Sequence, residues 1–532
     1  MKRRDFLASA AGVPLLGLMG CSRKSQPLPP GLLLGPSMLR GHRLRESAAA
    51  ARHTVTRKTG VLIIGGGVAG LSAAWALKRA GMKEFALLEL EDEVGGNARS
   101  GRNEVSEYPL GAHYLPAPPA TNLPLRILLK DLGVLLGEPA DPQALFDPAM
   151  LCHAPQERLF HQRRWQPGLL PVEGQSPAVL AEYHHFQNQL TAIKTENKFP
   201  LPLGTATFTS QTSALDKISF QQWLDGQQLH AEPLRWFLNY CTRDEYGSSL
   251  SEVSAYAGLH YFLARNGFPY ALDADSSANS PVLTWPGGNG WVTRALAGTL
   301  HEHLHTGRLI HNIQQDRKQV QVEVWNAQEN THERWQADQV IVATPLFVLK
   351  HLWPDMPAPI RAALPLWTYA PWLVANLTLH QPPREAIDQT MAWDNVIYQG
   401  KGLGYVVATH QALTLGQGPT VLTYYRTFEN REPEATRQRM QTTGQPEWAR
   451  AILDDLRIAH PDLPSLVKRL DVMCWPHAMV RPAVGLLGHP IRQRLQRRFE
   501  RILLAHADLS GYSVFEEAFA QGWRAAHTIL KG

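Results

Sequence analysis

Four cysteines in 532 residues, Cys21, Cys152, Cys241 and Cys474, with no CxxC pair among them, are too few and too scattered for a disulfide framework or a structural zinc site. The fold must therefore rest on its apolar core. A continuous run of the ~20 apolar residues that carries a helix across a bilayer is also missing. Charge is sparse, with 19% charged and 44% hydrophobic residues, which excludes the disordered and fibrous classes. Net charge is +5, but the first 58 residues hold eleven Lys/Arg against Asp5 and Glu46, which leaves residues 59–532 at −4. A nucleic-acid binder concentrates positive charge on its folded face, so nucleic acid is not expected as a partner. No internal repeat is visible.

The basic arm reads as an address. Lys2, Arg3 and Arg4 precede an apolar stretch from Phe6 to Met19 that ends in Leu18, Met19, Gly20 and Cys21. Such a run is a secretion signal rather than a membrane span. Arg3 and Arg4 before Asp5, Phe6 and Leu7 resemble a twin-arginine signal, which engages the Tat export machinery and moves already folded proteins. Leu18 to Cys21 resembles a bacterial lipoprotein box. That resemblance implies a lipid anchor at Cys21 and a periplasmic location, with Ser22 in place of an inner-membrane retention Asp pointing to the outer membrane. Residues 1–21 are thus expected as signal and 22–58 as a basic linker lying near anionic headgroups.

Val61 to Ile64 is a short apolar run followed at once by Gly65, Gly66, Gly67, Val68, Ala69 and Gly70, then by Leu71 to Ala80 with helical apolar spacing. That order predicts strand, tight turn and helix. Gly65 permits the turn, Gly67 lets backbone N–H groups approach a pyrophosphate, and Gly70 lets helix pack on strand, with Val68 and Ala69 opening the helix whose dipole faces the phosphates. A second predicted strand, Phe85 to Leu88, ends in Glu89, where a carboxylate can accept hydrogen bonds from ribose hydroxyls.

Downstream, Glu89, Leu90, Glu91, Asp92, Glu93, Val94, Gly95, Gly96, Asn97, Ala98, Arg99 and Ser100 resemble the corresponding segment of FAD-dependent amine oxidases, protoporphyrinogen oxidases and carotenoid desaturases. Leu110, Gly111, Ala112, His113 and Tyr114 are similar to the loop that in this superfamily passes beside the isoalloxazine ring, and Pro286 to Gly290 to its later glycine turn. Ala337 to Pro345, including Ala343, resembles the strand returning to the nucleotide domain. Ile310 falls where the family's backbone contacts adenine. Arg501 to Ala505 reads as a strand, Asp508 stands where the family has an acid on the ribityl chain, and Phe515 opens the last helix, whose N-terminus would face the flavin pyrimidine. The resemblance spans residues 61–526 and implies FAD as cofactor.

It further implies an α/β fold with a discontinuous Rossmann-type FAD-binding domain, residues 59–119, 282–345 and 491–532, interleaved with an α+β substrate domain, residues 120–281 and 346–490. Ring-side residues are expected at His113, Trp475 and His477, with Arg481 as an anchor for an anionic substrate group; His477 and Cys474 are the candidates for covalent flavin attachment. Asn97 replaces the usual Arg beside the phosphates, leaving neutralisation to backbone N–H groups and Arg99. No lysine occurs in Trp372 to Asn376, where amine oxidases often carry a flavin-side Lys that assists reaction with oxygen.

The implied activity is oxidation of a small organic substrate, an amine or an unsaturated, apolar compound, by hydride transfer to flavin N5. Oxygen, or a quinone or protein at the membrane, would then accept the electrons, and a flavin-binding envelope protein without turnover is the alternative. His301, Glu302, His303, Leu304 and His305 match HExxH, the zinc-protease pattern. The expected corner between helix and strand at this point argues against metal, and no metal is assigned.

Overall fold

The computed structural model describes residues 27–532 apart from 46–54, 205, 207, 271–280, 388, 413–417 and 429–432. The signal reading of Met1 to Cys21 lies outside the described residues. Two sheets organise the rest.

The first contains, in order, Leu304–His305, Phe85–Leu88, Val55–Ile64, Thr331–Val342, Val320–Asn326 and Arg308–Gln315, with Ile502–Leu504 paired to Thr331–Val342. Phe85–Leu88, Val55–Ile64, Thr331–Val342 and Ile502–Leu504 run parallel, placing Val61 between Phe85 and Gln339. Leu62, Ile63 and Ile64 are buried on both faces, as a continuous apolar run in a parallel sheet demands. Ile63 packs with Leu77 and Phe519 on one side, Leu62 and Ile64 with Leu349 and Trp353 on the other. Helix Val68–Arg79 crosses the final helix Phe515–Leu530 at Gly522, where a Cβ would stand 2.0 Å from the Ala69 carbonyl oxygen. Only glycine permits that approach. The Ser72 hydroxyl donates to the Phe519 carbonyl at 2.8 Å across the same crossing.

The second sheet has eight strands in the order Leu33–Leu34, Val467–Val480, Tyr369–Leu379, Thr420–Thr427, Gly404–Val407, Asp394–Ile397, Glu157–His161 and Arg164–Pro167. Tyr369–Leu379 is buried along its whole length, so it carries apolar residues on both faces. Helices Glu232–Tyr246 and Ala255–His260 pack on one face and Gln445–Leu456 on the other. The chain passes repeatedly between the two sheets, and their meeting zone is where the expected site residues lie.

The part of the expected linker 22–58 that the structure describes, residues 27–45 and 55–58, is paired to the rest of the protein. Leu33 and Leu34 pair in parallel with Val472 and Met473, and Leu470 and Val472 donate to the carbonyls of Pro30 and Leu32 at 2.9 and 2.8 Å. Ser37 N–H donates to Glu91 at 2.8 Å, Arg40 reaches the Leu90 carbonyl and Asp92, and Arg43 lies 3.8 Å over the Trp325 ring. Val55 to Lys58 pair with Glu333 to Gln336. The edge of strand Val467–Val480 offers unpaired backbone groups, and residues 30–34 satisfy them.

The HExxH match is also resolved. Helix Gly290–Leu300 ends before it, His301–His303 forms one tight 3-10 turn, and Leu304–His305 is already strand, so His301 and His305 are not one α-helical turn apart. His303 instead stacks on Phe85 at 3.8 Å, and His305 meets the Trp335 ring edge-on. No group of three or more metal-binding side chains gathers among the described residues. Among them, no helix is long and apolar enough to cross a membrane.

Candidate active site

The glycine turn has the geometry a dinucleotide needs. Gly65 has φ +104°, and a Cβ there would stand 2.8 Å from the Ala343 carbonyl oxygen, so strand ends and turn are fitted to each other. At Gly70 a Cβ would meet the Gly65 carbonyl oxygen at 1.9 Å. Gly67 caps the helix, and a Cβ there would meet nothing within 4 Å. That open face lies at the N-terminal, partly positive end of the helix, where a pyrophosphate is stabilised. Gly95, at φ +121°, and Gly96, at φ +56°, bring a second glycine turn against Gly67. Glu89 closes the cradle: its carboxylate accepts from Gly66 N–H at 2.5 Å and Glu91 N–H at 2.9 Å. Burial raises the pKa of Glu89, against the two amides, which favour the charged form. Ile310 is buried in strand Arg308–Gln315, at the edge of the same sheet.

Asn97 and the loop Leu110 to His113 form one unit. Ala112 N–H donates to the Asn97 carbonyl at 2.9 Å, and a Cβ at Gly111 would stand 2.1 Å from that same oxygen. The Asn97 amide donates to the Ala478 carbonyl, tying the loop to strand Val467–Val480. Trp475 Nε1 donates to the Leu110 carbonyl at 2.6 Å, and the Arg99 guanidinium lies 5.4 Å from the Trp475 ring. Trp475 therefore sits at the junction of both sheets. His477, two residues on, stacks on Phe347 at 4.4 Å, and burial lowers its pKa to about 4, so it is neutral at physiological pH.

Two expected site residues have partners within the protein. Arg481 is held by Glu252 and by the Ser248 hydroxyl, so its charge is already met and it is no anchor for an anionic substrate. Asp508 is turned inward. It accepts from Leu346 N–H at 2.9 Å and Tyr369 Oη at 2.6 Å, with His506 Nδ1 at 3.0 Å. Burial alone would raise its pKa, but His506 and these donors outweigh it. The Leu346 and Tyr369 hydrogen bonds both go to Oδ2; Oδ1 is buried and, beside the His506 ring, makes no hydrogen bond among the described residues, which leaves an acceptor for the expected ribityl contact. Phe515 is buried parallel to Phe519 in the core, and Cys474 is likewise a core residue.

Around His113 the structure gathers residues that no local motif marks. Its ring lies 4.5 Å from Tyr425, 5.0 Å from Tyr114 and 5.5 Å from Trp393. Tyr425 Oη donates to the Gly111 carbonyl at 3.0 Å, holding the loop against this aromatic wall. Burial, then nearby Arg265, push the His113 pKa to about 3. Arg265 lies 5.4 Å from the Tyr114 ring and is paired with Glu245 and Glu516, all three nearly inaccessible to solvent. Glu516 stands in the first turn of the final helix, so this buried ion cluster links the substrate side to that helix's N-terminus. A single sequence carries no signal for it: the three residues come from two helices and a π-helical turn, brought together only by the fold.

Residues 68–530 match the family model described as flavin containing amine oxidoreductase. A flavin-containing amine oxidase of Oncorhynchus mykiss is 27% identical over 312 residues, 57% of this chain and 53% of that protein, so the match spans about half the length of the curated relative. Among solved structures, a putrescine oxidase bound to putrescine superposes with TM-score 0.67 at 16% identity, over 90% of this chain and 100% of that one. A cyclohexylamine oxidase from Brevibacterium oxydans does so with TM-score 0.65 at 15% identity, over 89% of this chain and 99% of that one. These structures share the fold. The chain belongs to the flavin-containing amine oxidoreductase family, and its cofactor is FAD.

Proposed function

We propose that this protein is an FAD-dependent oxidoreductase that removes a hydride equivalent from the carbon beside a substrate amine nitrogen. The observation that carries the reading is the aromatic enclosure of His113, Tyr114, Trp393 and Tyr425 built on the loop Leu110 to His113, next to the glycine cradle. Gly67, Gly96 and the helix N-terminus would hold the pyrophosphate, Glu89 a ribose, and the Leu110 to His113 loop the ring edge. When bound, FAD supplies the hydride acceptor at N5.

The protein's own share is positioning and exclusion of water. His113 stays neutral and brings no positive charge against a cationic amine. Arg265 and Arg481 are each neutralised by carboxylates, so the described surroundings carry no free cation to repel an ammonium or attract an acid. The ammonium first gives one proton to solvent, the freed lone pair expels the hydride as the C–H bond breaks, and water hydrolyses the resulting iminium outside the enclosure.

Strand Tyr369–Leu379 holds no lysine, which supports a quinone or protein over oxygen as acceptor. Arg3, Arg4 and Cys21 support Tat export and a lipid-anchored periplasmic location beside such an acceptor. The first test is an absorption spectrum of purified protein before and after acid precipitation, followed by anaerobic mixing with amines. Bleaching of flavin bands near ~450 nm by an amine supports the reading. Dithionite bleaching without any amine response overturns it in favour of a flavin-binding protein without turnover. Fast reoxidation by a quinone analogue and slow reoxidation by air would support the membrane acceptor. Loss of fatty-acid labelling in Cys21→Ala tests the anchor.

A further inference from the structure

Residues 30–34 are enough to cover the edge of strand Val467–Val480, yet the chain goes on. Beyond Gly35 it leaves that sheet for the nucleotide side and binds the loop that follows Glu89. Ser37 N–H donates to Glu91 Oε1 at 2.8 Å, and Arg40 donates to the Leu90 carbonyl at 3.1 Å and to Asp92 at 2.8 Å. Leu44 then packs against the core that contains Leu349 and Trp353. One segment thus joins the edge of the substrate sheet to the ribose end of the nucleotide sheet.

Its contacts close a circuit. Leu33 and Leu34 pair with Val472 and Met473. Two residues on, the same strand carries Trp475, whose ring lies 5.4 Å from the Arg99 guanidinium. Arg99 lies 3.8 Å from Glu91 Oε2, and the other Glu91 oxygen accepts from Ser37, which returns the circuit to its start. The circuit touches each point at which FAD would be held: Glu89 at a ribose, Arg99 beside the phosphates, and, through Trp475 Nε1, the Leu110 to His113 loop at the ring edge.

Glu91 is the joint. Burial raises the Glu89 pKa, the Glu91 amide, donating at 2.9 Å, lowers it, and the Glu91 negative charge raises it. Ser37 N–H and Arg99 hold that charge to one side and keep the amide in place. The fit is close at both ends of the segment. Leu32 N–H donates to Asp471 Oδ1 at 2.7 Å, and a Cβ at Gly31 would collide with the Leu470 carbonyl oxygen, so only glycine lets the chain lie there. Residues 31–45 contain Arg40, Arg43 and Arg45 and no acid, whereas the loop they meet carries Glu89, Glu91, Asp92 and Glu93. Opposite charges draw the two together.

We propose that residues 30–45 are a clasp for the cofactor, in which Ser37 and Arg40 are positioning residues: through Glu91 they fix Glu89 for the FAD ribose, and undocking the clasp lets FAD go. The inference concerns the cofactor alone and stands apart from the choice of substrate. By reciprocity, bound FAD holds the clasp as firmly as the clasp holds FAD.

The test compares full-chain, FAD-loaded variants. Ser37 has φ −66°, the angle proline prefers, and its side chain makes no capping hydrogen bond. Ser37→Pro therefore removes the N–H, and Ser37→Ala removes nothing that the clasp uses. On dilution, flavin fluorescence should report FAD release at least about tenfold faster in Ser37→Pro than in the native protein. Arg40→Ala should also speed release, and Ser37→Ala should match the native rate. Phe186→Leu, in the helical core with Phe220, Trp223 and Phe262, measures the effect of lost stability alone and should leave the release rate unchanged. Amide hydrogen exchange gives a readout without release: the Leu32 and Ser37 amides should exchange at least about tenfold faster once FAD is stripped. Release that Ser37→Pro and Arg40→Ala leave unchanged, or that Phe186→Leu speeds equally, overturns the proposal. So do clasp amides that exchange alike with and without FAD. If acid precipitation shows the flavin to be covalent, the fraction of purified protein that carries it is read instead; a lower fraction in Ser37→Pro supports the clasp, and a native fraction overturns it.

Discussion

The two halves of the site are built by opposite means. At the nucleotide cradle, Gly65, Gly67 and Gly70 work by lacking side chains, and close backbone approaches such as Gly70 to Gly65 and Gly65 to Ala343 define the geometry. On the substrate side, His113, Arg265, Glu245, Asp394 and Glu157 work through side chains that meet only because distant strands and helices share a register. A cradle made of backbone is sensitive to any added atom, whereas a chamber made of side chains is sensitive to charge.

Removing charge balance should have the largest effect. Arg265→Leu strands Glu245 and Glu516, both 5% exposed or less, without their cation. Breaking such a buried cluster from one side costs about 3–5 kcal/mol, so the variant should show a large fall in denaturant midpoint or fail to accumulate folded. Arg265→Leu with Glu245→Gln and Glu516→Gln should recover most of the loss. Adding an atom to the cradle comes next. Gly70→Ala places a methyl 1.9 Å from the Gly65 carbonyl oxygen, and overpacking of that kind costs about 1–3 kcal/mol. It should lose FAD during gel filtration under conditions in which native protein stays yellow.

These differences explain what the sequence discloses. The turn from Gly65 to Gly70, strand Phe85–Leu88, Glu89 and the last helix are legible because their signals are local: apolar period, glycine spacing and an acid at a strand end. Arg481 is legible as a charge along the chain, but its partners Glu252 and Ser248 come from elsewhere and absorb it. Nothing in residues 155–160 or 392–397 announces that their two acids stand opposite each other. Glu157 and Asp394 acquire meaning only from a parallel pairing between residues 237 positions apart, the same separation as the Arg158 to Asn395 hydrogen bond on the opposite face. Similarly, residues 30–34 carry little strand signal, and they pair because a sheet edge is there to be covered.

A pH titration reads the substrate half through its buried acids, with Glu157→Gln as the control that assigns the effect. Asp244 and Glu157 are raised to about 7, by burial first, and in Asp244 also by Glu245. In an unfolded chain such groups titrate near about 4. Between these values the folded protein holds more protons than the unfolded chain, so stability falls as pH rises from about 4 to about 7. Each carboxyl contributes a slope of up to about 1.4 kcal/mol per pH unit. Denaturant midpoints measured across this range should decline, and Glu157→Gln should flatten the decline. A slope that Glu157→Gln leaves unchanged would place its origin elsewhere.

The smallest change probes the seam between the halves. Trp475 belongs to the substrate sheet, yet its Nε1 donates to the Leu110 carbonyl of the loop that continues to His113, and its ring lies beneath Arg99. Trp475→Phe keeps an aromatic face for Arg99 and removes the donor. Leu110 then loses a short hydrogen bond, worth about 1 kcal/mol net. If that bond only adds stability, the melting temperature falls slightly and the spectrum of bound FAD is unchanged. If it sets the position of the Leu110 to His113 loop against the ring, the visible bands shift and FAD dissociates faster, while the cradle of Gly65 to Gly70 is untouched. The second outcome is expected, because Asn97, Gly111, Ala112 and Tyr425 already bind that loop so closely that a displacement at Leu110 has no slack in which to disappear.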